Sequence, residues 1–396
     1  VDALEMSAKM SLGLLTDLQR ALPELRGALE SHPYLTDPDH LWADLRALLN
    51  ANAPSGGSWL PGGIVDEIGQ IAAALGLQGR FLRQIGATGN AGVRLGPEKP
   101  VYDVIVVSHM DRPSFKVRGD GSLYPICANR FPDGRYEVGA KGLRYRDGRL
   151  TVSARGTLIS ERGEGRDLLR FEPSSGALAW TDMLTMNVTP TLRDGVITGT
   201  GLDNCLGVLT MLGAASALAS AEDMLRAQDR SVLFVFTDLE EGLPDAYFGH
   251  GSARLTYALP PPTFGCLIAD AHTAGADGPA LGNGASHGHV SAWSRGSFVA
   301  PNYLALAVDL AAEANAQRPG TVQLNAGYLS RSDDMALGRW TQILGMIGAP
   351  MVDAHTGHES ARLADVPDAV WWLAHFTGAL LGVSETIRAG YLPTWR

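Results

Sequence analysis

Three short apolar runs in this chain each lead into side chains that bind metals or protons, and this repetition limits the fold more than any other feature. Tyr102-Asp-Val-Ile-Val-Val-Ser108 runs into His109-Met110-Asp111, Ser231–Thr237 leads to Glu240-Glu241, and Phe264–Ala269 ends on Asp270. Short runs rich in β-branched residues, with few polar interruptions, read as strands buried on both faces. Helical patterns lie among them. Leu206–Leu218 is a small-residue apolar helix, and Tyr303–Asn315 and Ala369–Leu381 follow helical spacing. The alternation predicts an α/β fold whose mainly parallel sheet is covered by helices on both faces. In such a sheet the ligand crevice opens at the carboxyl ends of the strands, which is where the histidine and acidic residues fall.

The rest of the chain frames this unit. Leu12, Leu15, Leu18, Leu22 and Leu25 recur at helical spacing, and a second helical run covers Asp39–Leu49. Ala53–Gly63, rich in Gly, Pro and Ser, reads as a loop before a helix over Ile64–Leu75. Between Pro113 and Ile197 the texture changes to short alternating segments such as Tyr136–Val138, Arg149–Val152 and Val188–Leu192, cut by Gly, Pro and Asp. That stretch predicts a β-rich insert. The expected division is 1–112 with 196–396 as one unit, and 113–195 as a smaller inserted domain.

Each candidate residue has a plain reading and a sharper one. His109 can be an ordinary strand-end histidine, or an imidazole in the crevice with Asp111 available to orient its other ring nitrogen, as metal-bound histidines require. Asp203, in Thr200-Gly-Leu-Asp-Asn-Cys-Leu-Gly207, can be a helix N-cap or a carboxylate bridging two cations. Glu240 and Glu241 can form a solvated loop. Alternatively, one binds a metal while the other takes a proton from activated water. Asp270 repeats the strand-end pattern. His355 and His358, in Asp353-Ala-His-Thr-Gly-His-Glu359, are alternative late ligands. Taken together, mixed His and carboxylate donors suit Zn²⁺, Mn²⁺ or Co²⁺ better than Ca²⁺.

Other chemistries lose support. There is no G-x-S-x-G elbow and no P-loop; Gly199-x-Gly201 and Gly282-x-Gly284 read as turns. A net charge of −10 disfavours nucleic acid as a partner, since phosphate binding needs clustered Lys and Arg. Cys127, Cys205 and Cys266 form no C-x-x-C pair, which fits a reducing compartment. The sequence shows no uninterrupted apolar span and no signal-peptide pattern at its start. The expectation is a cytoplasmic enzyme with no membrane partner.

In this order the pieces resemble the co-catalytic metallo-aminopeptidases, the glutamyl-aminopeptidase-like family and the related aspartyl aminopeptidases, over about residues 60–390. The resemblance rests on His109-Met-Asp111, Asp203-Asn204, Glu240-Glu241, Asp270 and His355, with Gly278-Pro-Ala280 and Ser332-Asp333 between the last two. It implies a zinc-peptidase-like fold, a homo-oligomer, and one or two divalent ions (Mn, Zn or Co). It implies that His109, Asp203 and Asp270 hold one metal and that Asp203, Glu241 and His355 hold the other. Glu240 would be the general base, Asp111 would orient His109, and the insert would serve as a lid or oligomerisation domain. The register His355-x3-Glu359-x5-Asp365-Val366 favours His355 over His358.

The resemblance implies hydrolysis of a C–N bond, foremost by an aminopeptidase acting on short peptides. Two departures stand out. Arg112 follows Asp111 where the family commonly has Glu, and Glu240-Glu-Gly-Leu-Pro-Asp245 is one residue shorter than the family's segment. Arg112 motivates an alternative, in which its guanidinium grips a substrate carboxylate. That reading resembles the nitroanthranilate aminohydrolases, which act on a carboxylate-bearing aromatic amine.

Overall fold

The computed structural model describes residues 13–393 apart from 127–129, 164–165, 243–248, 277, 293–295, 328 and 330. Leu12, Cys127 and the Leu243–Asp245 end of the Glu-Glu segment therefore lie outside the described residues. An eight-stranded sheet is built from β1 (Phe81–Leu82), β2 (Ala91–Leu95), β3 (Val104–His109), β4 (Val232–Thr237), β5 (Gly265–Ala269), β6 (Ala285–Gly288), β7 (Val322–Asn325) and β8 (Ile343–Gly348). Their spatial order is β1-β2-β4-β3-β5-β8-β6-β7.

Every residue of β3, β4, β5 and β8 is buried, because the sheet is covered on both faces, as the apolar runs require. These four central strands are mutually parallel. The margins are mixed: β1-β2, β2-β4 and β8-β6 pair antiparallel. The fold is thus α/β with a parallel centre.

The longer helices that frame the sheet include α1 (Leu14–Ala21), α2 (Pro23–Ser31), α3 (Pro38–Asn50), α4 (Ile64–Ala74), α5 (Leu202–Ala219), α6 (Pro301–Gln317) and α7 (Asp365–Leu380). The leucine repeat of the N-terminal segment is divided between α1 and α2, with Pro23 at the first position of α2. Proline has no N–H to continue a helix but fits its first turn. α5 crosses β2, β3, β4, β5 and β8 and packs against α3 and α7. It is long and apolar enough by composition to span a membrane, yet it lies mostly buried inside the protein. A helix apolar all round is what a central core position demands. The free thiols of Cys205 and Cys266 are both buried.

A second sheet is antiparallel throughout. It orders Leu123–Pro125, Ser114–Val117, Met183–Met186, Gly134–Arg146, Arg149–Gly163 and Arg166–Gly176 side by side. Phe115, Phe131, Val138, Leu158, Leu184 and Met186 form its own small core. The Val188–Leu192 segment does not join this sheet. Its end forms the strand Thr191–Arg193, which turns back on Val196–Gly199 in a third sheet with Glu359–Arg362, Pro350–Val352 and His272–Thr273.

Candidate metal centre

Because β3, β4 and β5 are parallel, their carboxyl ends share one edge, and the candidate residues gather there. His109 is the last residue of β3. β4 is followed by Asp238 and Leu239, whose φ of 60° turns the chain so that Glu240 and Glu241 come back to the edge. Asp270 directly follows β5. Asp203 opens α5 behind Gly201, which sits at φ 84°, and the Asp203–Asn204 peptide is cis. His355 lies in the loop between Pro350–Val352 and Glu359–Arg362.

These residues meet around Asp203. His109 Nε2 is 3.1 Å from Asp203 Oδ1, 3.6 Å from Asp270 Oδ1 and 3.9 Å from Glu240 Oε2. His355 Nε2 is 3.4 Å from Asp203 Oδ2 and 3.1 Å from Glu241 Oε1. One carboxylate therefore presents one oxygen to each imidazole, with a second acid beside each. Ligand atoms of His109, Asp203 and Glu241 also lie within 4.8 Å of one another, and so do those of His109, Glu240 and Asp270. The second set includes Glu240, the expected base, so proximity alone does not separate base from ligand. Its neighbour Glu241 is the one in contact with His355. His358 is exposed and outside this cluster.

Asp111 organises the site differently from the expectation. His109 Nδ1 is 3.1 Å from the backbone carbonyl of Asp111, whereas the carboxylate is 3.7 Å away. A carbonyl only accepts, so Nδ1 carries a hydrogen, and Nε2 faces the carboxylates as the nitrogen that can ligate a metal on giving up its own proton. The Asp111 carboxylate instead accepts from the backbone N–H of Glu240 at 3.1 Å and of Glu241 at 3.3 Å. It fixes the Glu-Glu pair while its main chain fixes the histidine.

Several residues of the site were given no role by the sequence. Asn204 donates to Ser108 Oγ and to Ala269 O, and its oxygen accepts from Gly207 N and Ala271 N. It ties the start of α5 to the ends of β3 and β5, and the approach is so close that a Cβ on Gly207 would collide with Ala269 O and Ser108 Oγ. Asp333 accepts from Thr237 Oγ1 at 2.6 Å and from Ser252 Oγ. Glu359 accepts from Leu202 N at 2.7 Å and His355 N at 3.0 Å, joining the Asp203 and His355 segments. Asp238 Oδ1 accepts from the N–H of Gly56 and of Leu239 and from Ser58 Oγ.

The electrostatics test whether cations fit. Burial holds Glu240 well above the ordinary carboxyl range; His109 pulls it back, while Glu241, Asp270 and Asp333 add to the rise. Burial likewise raises Asp270, and raises Glu359 to about 8 with help from Asp203. Burial opposes a charge on His109, yet Glu240, Asp111, Asp203 and Asp270 together hold its pKa well above the usual imidazole value. Burial also opposes ionisation of Asp203, and the hydrogen bonds from His109 and His355 overcome it. Four carboxyl groups converge on two imidazoles in a largely buried site, and ionising all four would leave surplus negative charge there. Transition-metal dications neutralise such a surplus and match the donor set. The residues fit the implied metals.

Arg112 does not point where the sequence reading put it. It is buried, and its guanidinium donates to Leu48 O at 2.6 Å, Leu49 O at 2.8 Å and Cys205 Sγ at 3.3 Å. It caps the C-terminal carbonyls of α3, which attract a cation. A guanidinium spent on main-chain carbonyls is not available to a substrate carboxylate, so Arg112 is withdrawn as a substrate-binding residue.

Neither a protein-family model nor any curated protein matches the sequence. Solved structures do match. A TET aminopeptidase from a marine sediment Thaumarchaeota archaeon superposes with a TM-score of 0.65 at 16% identity, over 88% of this chain and all of that one. An aminopeptidase from the archaeon Desulfurococcus kamchatkensis gives 0.64 at 19% identity, over 91% and 99%. The TET1 peptidase of Pyrococcus horikoshii, which assembles into a tetrahedron or an octahedral shell, gives 0.62 at 16% identity, over 85% and 98%. At these identities the likeness establishes the fold. It is the fold that these archaeal aminopeptidases share.

Proposed function

We propose that this chain is a hydrolase dependent on divalent metal ions, which cleaves C–N bonds as an aminopeptidase on short peptides. The observation that carries the reading is the position of Asp203, with Oδ1 beside His109 and Oδ2 beside His355. In the proposal His109, Asp203 and Asp270 hold one ion of Mn, Zn or Co, and Asp203, Glu241 and His355 the other. When bound, the ions polarise a scissile carbonyl and bring a water's pKa near neutrality. Glu240, buried beside the proposed ligands, receives that water's proton and passes it to the leaving amine. Asp111 keeps Glu240 and Glu241 at the edge through their N–H groups, and its carbonyl holds His109 Nδ1 so that Nε2 faces the proposed ligands.

The aminopeptidase names of the structural neighbours support the peptide substrate, and the assemblies formed by one of them support a homo-oligomer with the β-rich 113–195 insert as lid or contact domain. The aminohydrolase alternative rested on Arg112 and lapses with it. The deciding experiment is metal analysis of purified protein followed by chelation and reloading with Mn²⁺, Zn²⁺ or Co²⁺. A panel of unblocked and N-acetylated short peptides is assayed alongside. Cleavage confined to unblocked peptides and restored by metal is expected; a metal-free protein, or equal cleavage of both panels, would reject the reading.

A further inference from the structure

The loop that carries His355 is held from two sides, and one of the holds comes from the insert. Asp353 and His355 both adopt left-handed backbone, at φ 59° and 65°, a conformation that residues other than glycine keep only where their surroundings impose it. From the catalytic side, Glu359 accepts the His355 N–H. From the insert side, the hydroxyl of Tyr136, on the strand Gly134–Arg146, accepts the N–H of Gly357 at 2.8 Å. The contact is close enough to exclude a side chain, since a Cβ on Gly357 would lie 2.6 Å from Val138 Cγ2 and 2.8 Å from Tyr136 Oη. Tyr136 is itself fixed, its ring 4.9 Å from that of Phe131 in the small core of the insert. Asp203 and Glu241, the other members of that half of the site, hang from α5 and β4.

We propose that Tyr136 is a positioning residue through which the inserted domain sets the place of His355. One ion of the pair then depends on the docking of the insert and the other does not. This rests on the two-metal reading above. It also gives the sequence Thr356-Gly357-His358 a purpose, because only glycine admits the strand of the insert against the loop.

The test uses the full chain, stripped with chelator and titrated with Co²⁺, followed by visible absorption and by competition with a metal-binding dye. In Tyr136→Phe one of two ions should bind roughly tenfold more weakly, the effect of leaving one half-buried N–H without its acceptor, while the other ion is unchanged. Gly357→Ala should loosen the same ion. A structural defect alone would lower the melting temperature and weaken both ions, so the decisive step is a cycle with His355→Ala. Adding Tyr136→Phe to that variant should leave the remaining ion unaffected. Equal weakening of both ions, no weakening of either, or a further loss in the His355→Ala background would overturn the inference. If the unsubstituted protein bound no Co²⁺, the metal reading would fall and this inference with it. Two tight ions, unchanged in Tyr136→Phe, would overturn the inference alone.

Discussion

Replacing Glu240 by Gln separates the two roles that geometry leaves adjacent. The side chain is almost fully buried, its backbone N–H is held by Asp111, and one carboxylate oxygen lies 3.9 Å from His109 Nε2. Gln has the same shape and keeps the backbone contact, so the fold and the neighbouring donors stay in place. What is lost is the ability to take a proton. A positioned general base contributes about 10²- to 10⁴-fold to rate, which is about 2.7 to 5.4 kcal/mol of barrier at 1.36 kcal/mol per decade. Loss of kcat on that scale is expected, with KM little changed and the same number of metal ions per chain. The assay is steady-state peptide hydrolysis on metal-reloaded protein, with metal content measured on the same sample. If Glu240 were a ligand in the His109, Glu240 and Asp270 set, Gln would cost an ion. Loss of one equivalent of metal, or a kcat within tenfold of the parent, would refute the assignment of base and ligand along the Glu-Glu pair.

Further consequences are equally direct. Asp203→Ala removes the carboxylate shared by both imidazoles and should cost both ions, whereas Asp270→Ala should cost one; metal content after gel filtration distinguishes them, and equal losses would reject the bridging role. Asp238 bears on pH. Burial and then Asp111 raise its folded pKa to about 8, against about 3.9 in an unfolded chain. The folded state therefore holds the extra proton between these values, so this group's stabilisation is present below about pH 4 and is lost as pH rises toward 8. Asp238→Asn should remove about 1.4 kcal/mol per pH unit of that dependence, so the chelated variant should gain on the parent in thermal unfolding from pH 5 to pH 8. A constant difference would contradict it. Arg112→Lys cannot make the forked contact to Leu48 O and Leu49 O; a lower melting temperature with unchanged KM is expected, and the opposite pattern would return Arg112 to the substrate.

The parts of this protein that the sequence makes legible are those where one physical requirement dominates. β3, β4 and β5 are buried on both faces, so their residues are almost all apolar and their ends are easily seen; the ionisable residues that follow stand out because burial makes them costly. The inserted sheet is harder. Tyr136–Val138 and Arg149–Val152 are visible fragments of strands spanning Gly134–Arg146 and Arg149–Gly163, in which glycines and half-exposed positions blur the alternation. Long-range polar contacts were not visible at all. Nothing near Asp333 in the chain indicates Thr237 or Ser252 as partners, and Asn204 could be read as a cap but not as a tie between two strand ends.

The His109-Met110-Asp111-Arg112 segment shows why Arg112 misled. Adjacency in the chain is not adjacency at the site, because neighbouring residues along an extended backbone point to opposite sides. His109 and Asp111 serve the carboxyl edge, while Met110 is core and Arg112 reaches the end of α3. Lys141, from the insert, donates to Asn50 O and Ala51 O, the next carbonyls of the same helix end. Four consecutive carbonyls, from Leu48 to Ala51, are thus met by two basic side chains, one at the exit from β3 and one on the insert. Burial, then Arg112 and Arg155, lower the Lys141 pKa to about 7, so the place disfavours the charged ammonium. The residue that looked like a specificity element is better understood as a tie between the exit of β3 and the end of α3, the same helix end to which Lys141 holds the inserted sheet.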